Sequence, residues 1–293
     1  MYRLFILEKG NIDSRMPIET PDSTKDTVEV VEKPAGPPKT VWREYFESAV
    51  VTFIMFLFFI TFVGRTVAVP TGSMENTIEV GDHFLINKFV YGFGSHPSFL
   101  PQRDVKRGDI VVFKYPGDKY HPGLDESRTP PIVPYETYYI KRVIGMPGDT
   151  IEVRGPKVLI NGTELPERRI MAETSCEKCP VKPIPGTESG EGRYTVYYRR
   201  ETLEAGDNFR NSDPEYYKFG VGKPFKIPST DYFMMGDNRD NSEDSRVWGP
   251  LDSSLVVGRG AVVFWSYDEG SPGTFPFSFF SNTRWNRTGT MIK

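Results

Sequence analysis

The chain has 293 residues, 36 of them basic and 39 acidic, and its formal net charge is −3. That length exceeds one typical domain, so we expect a core domain with an additional segment. The balanced charge, with no block of basic residues, argues against a nucleic-acid partner. An aromatic share of 14% favours a β-rich body, and 27 Gly and 25 Pro spread along the chain indicate many turns.

The first part of the chain divides into a polar tail and an apolar run. Residues 1–40 are polar and interrupted by Pro, which predicts a disordered tail. Ser48 to Gly64 then provides 17 residues without a charge, near the short end of the roughly 17–25 that span a bilayer as a helix. A buried core helix would carry a polar face, and a cleaved signal peptide would not follow 47 other residues. We therefore predict one N-terminal transmembrane anchor over residues 41–66.

The charges that flank the apolar run predict its orientation. Lys33, Lys39 and Arg43 lie on the amino side, against Arg65 alone on the other. By the positive-inside rule the N-terminus is cytoplasmic and the body extracytoplasmic. We expect a single-pass protein of the inner or plasma membrane, in contact with membrane lipid.

The body contains short apolar runs closed by Gly, which predict strands of a mainly β fold. We expect a β-rich core from residues 67–149 and 229–280, a smaller inserted subdomain over 150–228 and a C-terminal tail over 281–293. Within the insert, Asn161-Gly162 between apolar residues predicts a two-residue hairpin turn. Asn161-Gly162-Thr163 also matches a glycosylation acceptor, but the hairpin explains it without a sugar.

The only cysteines are Cys176 and Cys179. A single C-x-x-C lacks the second pair of ligands that a structural zinc site needs, and the three histidines lie far upstream. We therefore expect neither a metal nor another cofactor. A local disulfide in an oxidising compartment is favoured, and a pair of unlinked thiols is the alternative.

Two stretches place reactive groups in unusual surroundings. In Thr71-Gly72-Ser73-Met74 the glycine permits close backbone approach, so the Ser73 hydroxyl could project as a nucleophile; the commoner alternative is an ordinary serine turn. Lys141 lies in the apolar run "YYIKRVIG", where strand alternation separates it from Arg142. If Lys141 is the buried residue, desolvation lowers its pKa and its neutral amine can act as a general base. In the alternative, Arg142 is buried and Lys141 faces solvent.

A third stretch, "MGDNRDNSEDSRVWGP" (235–250), is dense in Asp, Asn, Ser and Arg. A calcium loop does not fit, because counting from Asp240 puts Ser245 where Gly is needed and Leu251 where Glu is needed. A buried loop braced by Asp–Arg pairs fits better, and its candidate members are Asp237, Asp244 and Arg246.

The anchor, "PTGSM", "YIKRVIGMPGD" and "GDNRDNSEDSR" together resemble the type I signal peptidases over residues 48–265. These are membrane-anchored Ser/Lys endopeptidases that remove signal peptides from exported preproteins, after small residues in A-x-A sites. The resemblance implies a signal-peptidase-like antiparallel β-sheet catalytic core, with Ser73 as nucleophile and Lys141 as general base. It implies an oxyanion hole formed by the Thr71 hydroxyl and the Ser73 amide.

Further roles follow from the resemblance alone. It implies that the site is supported by Ser242, Gly236, Asp237, Asp244 and Arg246. In this set Ser242 orients the lysine and Gly236 leaves space beside it. It implies shallow substrate pockets lined by Val67, Val69, Met74, Ile78, Tyr139 and Ile140. Two departures affect pocket shape: Glu75-Asn76 follows Met74 where many members have a Pro, and Glu243 replaces a small residue.

Two other functions compete with this one. A self-cleaving Ser/Lys regulator of the same broad fold is disfavoured by the apolar anchor and the lack of a DNA-binding segment in the sequence. A membrane-tethered β-rich assembly or binding factor without peptidase activity would make Ser73 purely structural. The sequence does not indicate an oligomeric state.

Overall fold

The computed structural model describes residues 40–91, 102–121, 123–129, 131–173, 181–206, 215–268 and 280–293. Apart from residue 40, the predicted disordered tail lies outside these residues, as do Cys176 and Cys179 with their predicted disulfide. The chain forms two compact units, residues 1–50 and 51–293.

The apolar run forms helix α1 (Val41–Phe58), which continues as a π-helical turn (Phe59–Val63). None of the residues of α1 is buried by the protein. The segment Val41–Thr61 is long and apolar enough to cross a membrane. The predicted anchor extends to residue 66, but the helix ends earlier because Gly64 adopts extended backbone, with φ −141° and ψ 152°, and begins a strand.

The strands, in chain order, are β1 (Gly64–Ala68), β2 (Asp82–Asn87), β3 (Ile110–Lys114), β4 (Tyr138–Gly145), β5 (Thr150–Arg154), β6 (Lys157–Ile160), β7 (Thr163–Glu164), β8 (Arg168–Glu173), β9 (Lys182–Pro183), β10 (Thr195–Tyr198), β11 (Phe225–Lys226), β12 (Asp231–Met235), β13 (Leu251–Asp252) and β14 (Val256–Ser266). The described residues also contain two further short α-helices, α2 (Arg200–Ala205) and α3 (Ser245–Trp248).

Seven strands form the main sheet in the order β1-β2-β14-β3-β4-β12-β13, and every neighbouring pair is antiparallel. These strands come from both sides of the 150–228 segment, so the mainly β antiparallel core is confirmed. The segment between them forms two smaller sheets, β11-β5-β6-β7 and β10-β8-β9. In the first of these, Asn161 and Gly162 connect β6 to β7 with φ values of 52° and 81°, which confirms the two-residue hairpin.

Alternating side chains divide the main sheet between separate hydrophobic clusters. Ile110 and Val112 of β3 pack into one cluster, while Val111 and Phe113 pack into another on the opposite face. Both faces are therefore covered. This explains why β4 is buried on both sides from Lys141 to Gly145.

The segment predicted as a C-terminal tail packs against the core in the structure. Ile292 is 3% exposed within the cluster that contains Ile110. Arg287 pairs with Asp82 at the start of β2, and Arg284 pairs with Glu79. Apolar burial and ion pairs thus attach residues 281–293 to the strand that follows the Ser73 turn.

Candidate active site

The Ser73 turn is held rigidly between β1 and β2. Gly72–Met74 form one 3₁₀ turn, entered from extended backbone at Thr71. Met74 is fully buried in the apolar cluster below the turn. From the facing loop, the side-chain amide of Asn238 donates to the Gly72 carbonyl at 3.1 Å, and its backbone N–H donates to the Ser73 carbonyl at 3.1 Å. A serine with this many backbone restraints has a fixed position.

Lys141 projects from β4 towards this turn. Its Nζ lies 2.6 Å from Ser73 Oγ, and the side chain is 4% exposed. Because Lys141 is buried, the alternative in which it faces solvent is wrong, although Arg142, at 1% exposed, is buried as that alternative expected. The strand buries both residues because the protein covers both faces of β4.

Burial lowers the pKa of Lys141 from its ordinary value of 10.5 to about 8. The negative charges of Asp244 and Glu243 oppose this shift, and the positive charge of Arg246 adds to it. A neutral fraction of the amine therefore exists near neutral pH, within hydrogen-bond reach of a hydroxyl. This is the condition that a general base for serine must meet.

Asp244 organises the loop behind the lysine. Burial alone would raise the pKa of this carboxyl, but the Arg246 guanidinium holds it below its usual value. Arg246 Nε donates to Oδ1 at 2.8 Å, and Oδ2 accepts from the Gly236 amide at 3.0 Å. The Ser242 hydroxyl also donates to Oδ2, at 2.8 Å. In the part of the chain that the structure describes, Ser242 makes no hydrogen bond to Lys141 and is bonded to Asp244 instead.

We expect Asp237 to pair with an arginine of its own loop, but in the structure it pairs with Arg142 of β4. Arg142 Nε donates to its Oδ1 at 2.7 Å, and Arg142 Nη2 donates to Oδ2 at 2.6 Å. The Thr77 hydroxyl donates to the same Oδ2 at 2.5 Å. Asp237 thus connects the strand that carries Lys141 to the segment that follows Ser73. From the sequence, Arg142 is a candidate only as the alternative buried residue of its strand, and nothing in the local pattern marks Thr77.

A second buried ion pair was missed entirely. Arg239 is fully buried, and its Nη1 donates to Glu167 Oε2 at 2.8 Å, from the loop to the 150–228 segment. Arg239 Nε also donates to the Gly236 carbonyl at 3.1 Å. The two partners are 72 residues apart, and no spacing pattern connects them.

The expected pocket residues do not all lie together. Val69, Met74 and Ile78 are buried in one apolar cluster, with Val67 and Ile140 partly buried against it. Tyr139 lies on the opposite face of β4, where its ring stacks on Tyr115 at 4.4 Å between centroids. Tyr139 contacts the site through Lys141, whose Nζ lies 5.5 Å from the centroid of the tyrosine ring.

Gly236→Ala is expected to lower the rate of any reaction at Ser73 by at least about 100-fold, because an added methyl group displaces the reacting groups. A Cβ at Gly236 would lie 2.2 Å from Ser242 Oγ and 2.5 Å from the Ser73 carbonyl oxygen. The measurement is kcat on the kind of substrate that the resemblance implies, a peptide with a signal-peptide cleavage site. Gly260→Ala is the matched control, since its nearest neighbour is the flexible Ile292 side chain at 3.3 Å. Equal kcat in the two variants would contradict this account.

A serine hydroxyl 2.6 Å from a buried lysine amine, on an antiparallel sheet that follows one apolar helix in the chain, fits a membrane-anchored serine hydrolase. A profile of the family described as "Signal peptidase, peptidase S26" matches residues 42–265. The chain therefore belongs to the signal peptidase family, peptidase S26. As a member it is a serine peptidase that cleaves signal peptides, and α1 supports its anchoring to the membrane.

Two sequence relatives agree with this assignment. Signal peptidase I of Pseudomonas aeruginosa is 32% identical over 246 residues, covering 80% of this chain and 76% of the relative. Signal peptidase I of Aquifex aeolicus is 33% identical over 230 residues, covering 72% and 79%. A crystal structure of a signal peptidase I from Enterococcus faecalis aligns with 54% of this chain and 97% of its own, at 21% identity and a TM-score of 0.27.

Proposed function

We propose that Ser73 is the nucleophile and Lys141 the general base of this peptidase. The observation that carries the proposal is the 2.6 Å approach of Lys141 Nζ to Ser73 Oγ, with the lysine 4% exposed. The neutral amine takes the hydroxyl proton as Oγ attacks the scissile carbonyl carbon, and it returns that proton to the departing amine. Water then hydrolyses the acyl-enzyme with the same lysine as base.

The oxyanion of each tetrahedral intermediate is stabilised by the Ser73 amide and the Thr71 hydroxyl. Thr71 directly precedes the 3₁₀ turn in extended backbone and is exposed, so its side chain is accessible to a bound peptide. Loss of one such donor typically costs about 2.7–4 kcal/mol of transition-state stabilisation. The loop around the reacting pair is held in place by Asp244, Arg246, Asp237, Gly236 and Ser242.

The substrates are exported preproteins, cut after small residues in A-x-A sites. We infer from the family resemblance that shallow apolar pockets accept small side chains and exclude large ones, and that they are bordered by Val67, Val69, Met74, Ile78, Tyr139 and Ile140. Of these, Val67 and Ile140 are only partly buried against the apolar cluster and so offer surface to a bound peptide. Ser73 follows Gly64 by nine residues, so an extended chain of at most about 3.6 Å per residue keeps it within roughly 32 Å of the helix end. Enzyme and preprotein therefore meet at one lipid surface, on its extracytoplasmic side, with the N-terminus of the enzyme in the cytoplasm.

Ser73→Ala and Lys141→Ala are each expected to abolish cleavage of a synthetic preprotein by the full-length protein in detergent. Removing one member of such a pair costs about 10³-fold or more, because neither group reacts alone. The controls are Ser253→Ala and Lys226→Ala, which alter exposed residues of the same types. Specific cleavage that persists in the Ser73 or Lys141 variant would reject the assigned pair.

A further inference from the structure

Strand β10 lies at the edge of the small sheet β10-β8-β9, and its free edge faces the active-site segments. Asn76 lies three residues after Ser73 in the chain. Its side-chain amide donates a hydrogen bond to the Thr195 carbonyl at 3.1 Å. Two residues along, the Tyr197 N–H donates to the Asp237 carbonyl at 2.8 Å. Alternate residues of a strand direct their backbone groups to the same edge, so one edge of β10 holds both segments.

Asn76 adopts an uncommon backbone conformation at this contact. Its φ of 84° lies in the left-handed region, which Asn tolerates better than most residues. The neighbouring Glu75 is 2% exposed and packs over Gly72, where its Oε2 accepts from the Val181 N–H at 3.3 Å. The segment after Ser73 is therefore bound to two points of the 150–228 segment.

The 150–228 segment also contacts the loop that carries Asp237 at a second point, outside β10. The buried Glu167–Arg239 pair connects it to the loop that begins at Gly236, and both side chains are inaccessible to solvent. That loop holds the Ser73 carbonyl through the Asn238 amide. The insert, the loop and the segment from Ser73 to Asn76 thus contact one another pairwise.

We propose that strand β10 positions the Ser73–Lys141 pair, and that Asn76 is the positioning residue through which it acts on the Ser73 turn. The inference rests on the proposed roles of Ser73 and Lys141, and it gives the 150–228 segment a part in the reaction. Misplacement of a reacting group by about 1 Å can cost about 100-fold in rate, so a single restraint of this kind affects kcat. Asn76 itself does not contact the reacting atoms.

The test compares Asn76→Gly with Asn161→Gly in the full-length protein. Glycine accepts the positive φ of both positions, 84° and 52°, so each substitution removes only a side chain. The Asn161 side chain also makes two hydrogen bonds, accepting from the Thr150 N–H at 2.8 Å and donating to the Asp149 carboxylate at 2.8 Å. It is a suitable control because it lies in a hairpin away from Ser73. The measurements are kcat and KM on a synthetic preprotein with an Ala-x-Ala site, and the midpoint of thermal unfolding.

For Asn76→Gly we expect kcat to fall about 10- to 100-fold with KM changed by less than about twofold, while Asn161→Gly keeps the wild-type kcat. Asn76→Asp, whose carboxylate has the shape of the amide but no N–H to donate, must lose kcat as well. The proposal is wrong if either Asn76 variant keeps the wild-type kcat, or if kcat falls only in proportion to the unfolded fraction. Failure of the wild type to cleave, or cleavage by Ser73→Ala, would instead overturn the proposed function.

Discussion

Lys141→Arg is expected to lower the rate of cleavage by about 10²- to 10⁴-fold, although it preserves the positive charge. A guanidinium does not lose its proton near neutral pH, so it cannot accept one from Ser73. The wild-type amine can, because burial lowers its pKa to about 8. Wild-type kcat/KM should accordingly rise about tenfold per pH unit below 8 and level off above it. The measurement is a pH profile of cleavage by both proteins, and activity of Lys141→Arg comparable to the wild type would reject the general-base role.

Lys141→Met is the companion variant, because it removes the amine while keeping an apolar chain of similar length. The folded protein binds the lysine proton less tightly than the unfolded chain, whose pKa is near the ordinary 10.5. Stability is then greatest above 10.5, falls as the pH drops towards 8, and stays low below that value. A shift of this size corresponds to about 3 kcal/mol at neutral pH. We therefore expect Lys141→Met to be inactive and more stable than the wild type at pH 7.

Unfolding measured at pH 7 and at pH 10.5 distinguishes this account from a simple packing effect. The advantage of Lys141→Met should shrink at the higher pH, where the wild-type amine is neutral in the folded protein and only half protonated in the unfolded chain. A variant that is less stable than the wild type at pH 7 would contradict the cost assigned to the buried ammonium. Activity and stability therefore oppose each other at this position, because the Lys141 amine that makes the serine reactive also destabilises the folded protein.

Local patterns were enough to predict the features that depend on neighbouring residues. An uncharged run of 17 residues predicts a helix with no buried face, and Asn161-Gly162 predicts a hairpin with two positive φ values. Gly72-Ser73 and Lys141 stand out within their own stretches, which makes them candidates for the proposed pair. The resemblance to one family then supplied what spacing could not, namely that the two stretches meet.

The supporting contacts could not be predicted because each joins distant parts of the chain. Arg142 and Asp237 are 95 residues apart, and the Asn76 amide reaches a carbonyl 119 residues away. A polar loop indicates that its charges are paired but not with which partner, so Asp237 was assigned to its own loop. The C-terminal segment carries few apolar residues, and only the folded arrangement shows that Ile292 enters the core.

Asp237→Ala is expected to destabilise the protein by about 3–5 kcal/mol, because it leaves the Arg142 guanidinium buried without its counter-charge. Arg142 is 1% exposed and Asp237 is inaccessible, so water cannot replace the lost carboxylate. Glu152→Ala is the control, since it removes one partner of the Glu152–Arg154 pair, whose arginine side chain is 56% exposed. That change should cost no more than about 1 kcal/mol, as is usual for surface pairs. Equal losses in thermal or denaturant unfolding would contradict the assigned role of burial.

Replacing both partners, with Asp237→Leu and Arg142→Met together, separates the stabilising role of the pair from its role in the site. Well-packed apolar residues often substitute for a buried ion pair without loss of stability, so the double variant should recover most of the deficit. Cleavage should not recover with it, because the Thr77 hydroxyl still lacks the acceptor that Asp237 provides at 2.5 Å. If kcat returned together with stability, Asp237 would matter only for folding. A stable but slow double variant would instead mean that the bond to Thr77 holds the Ser73 turn in register with the strand that carries Lys141.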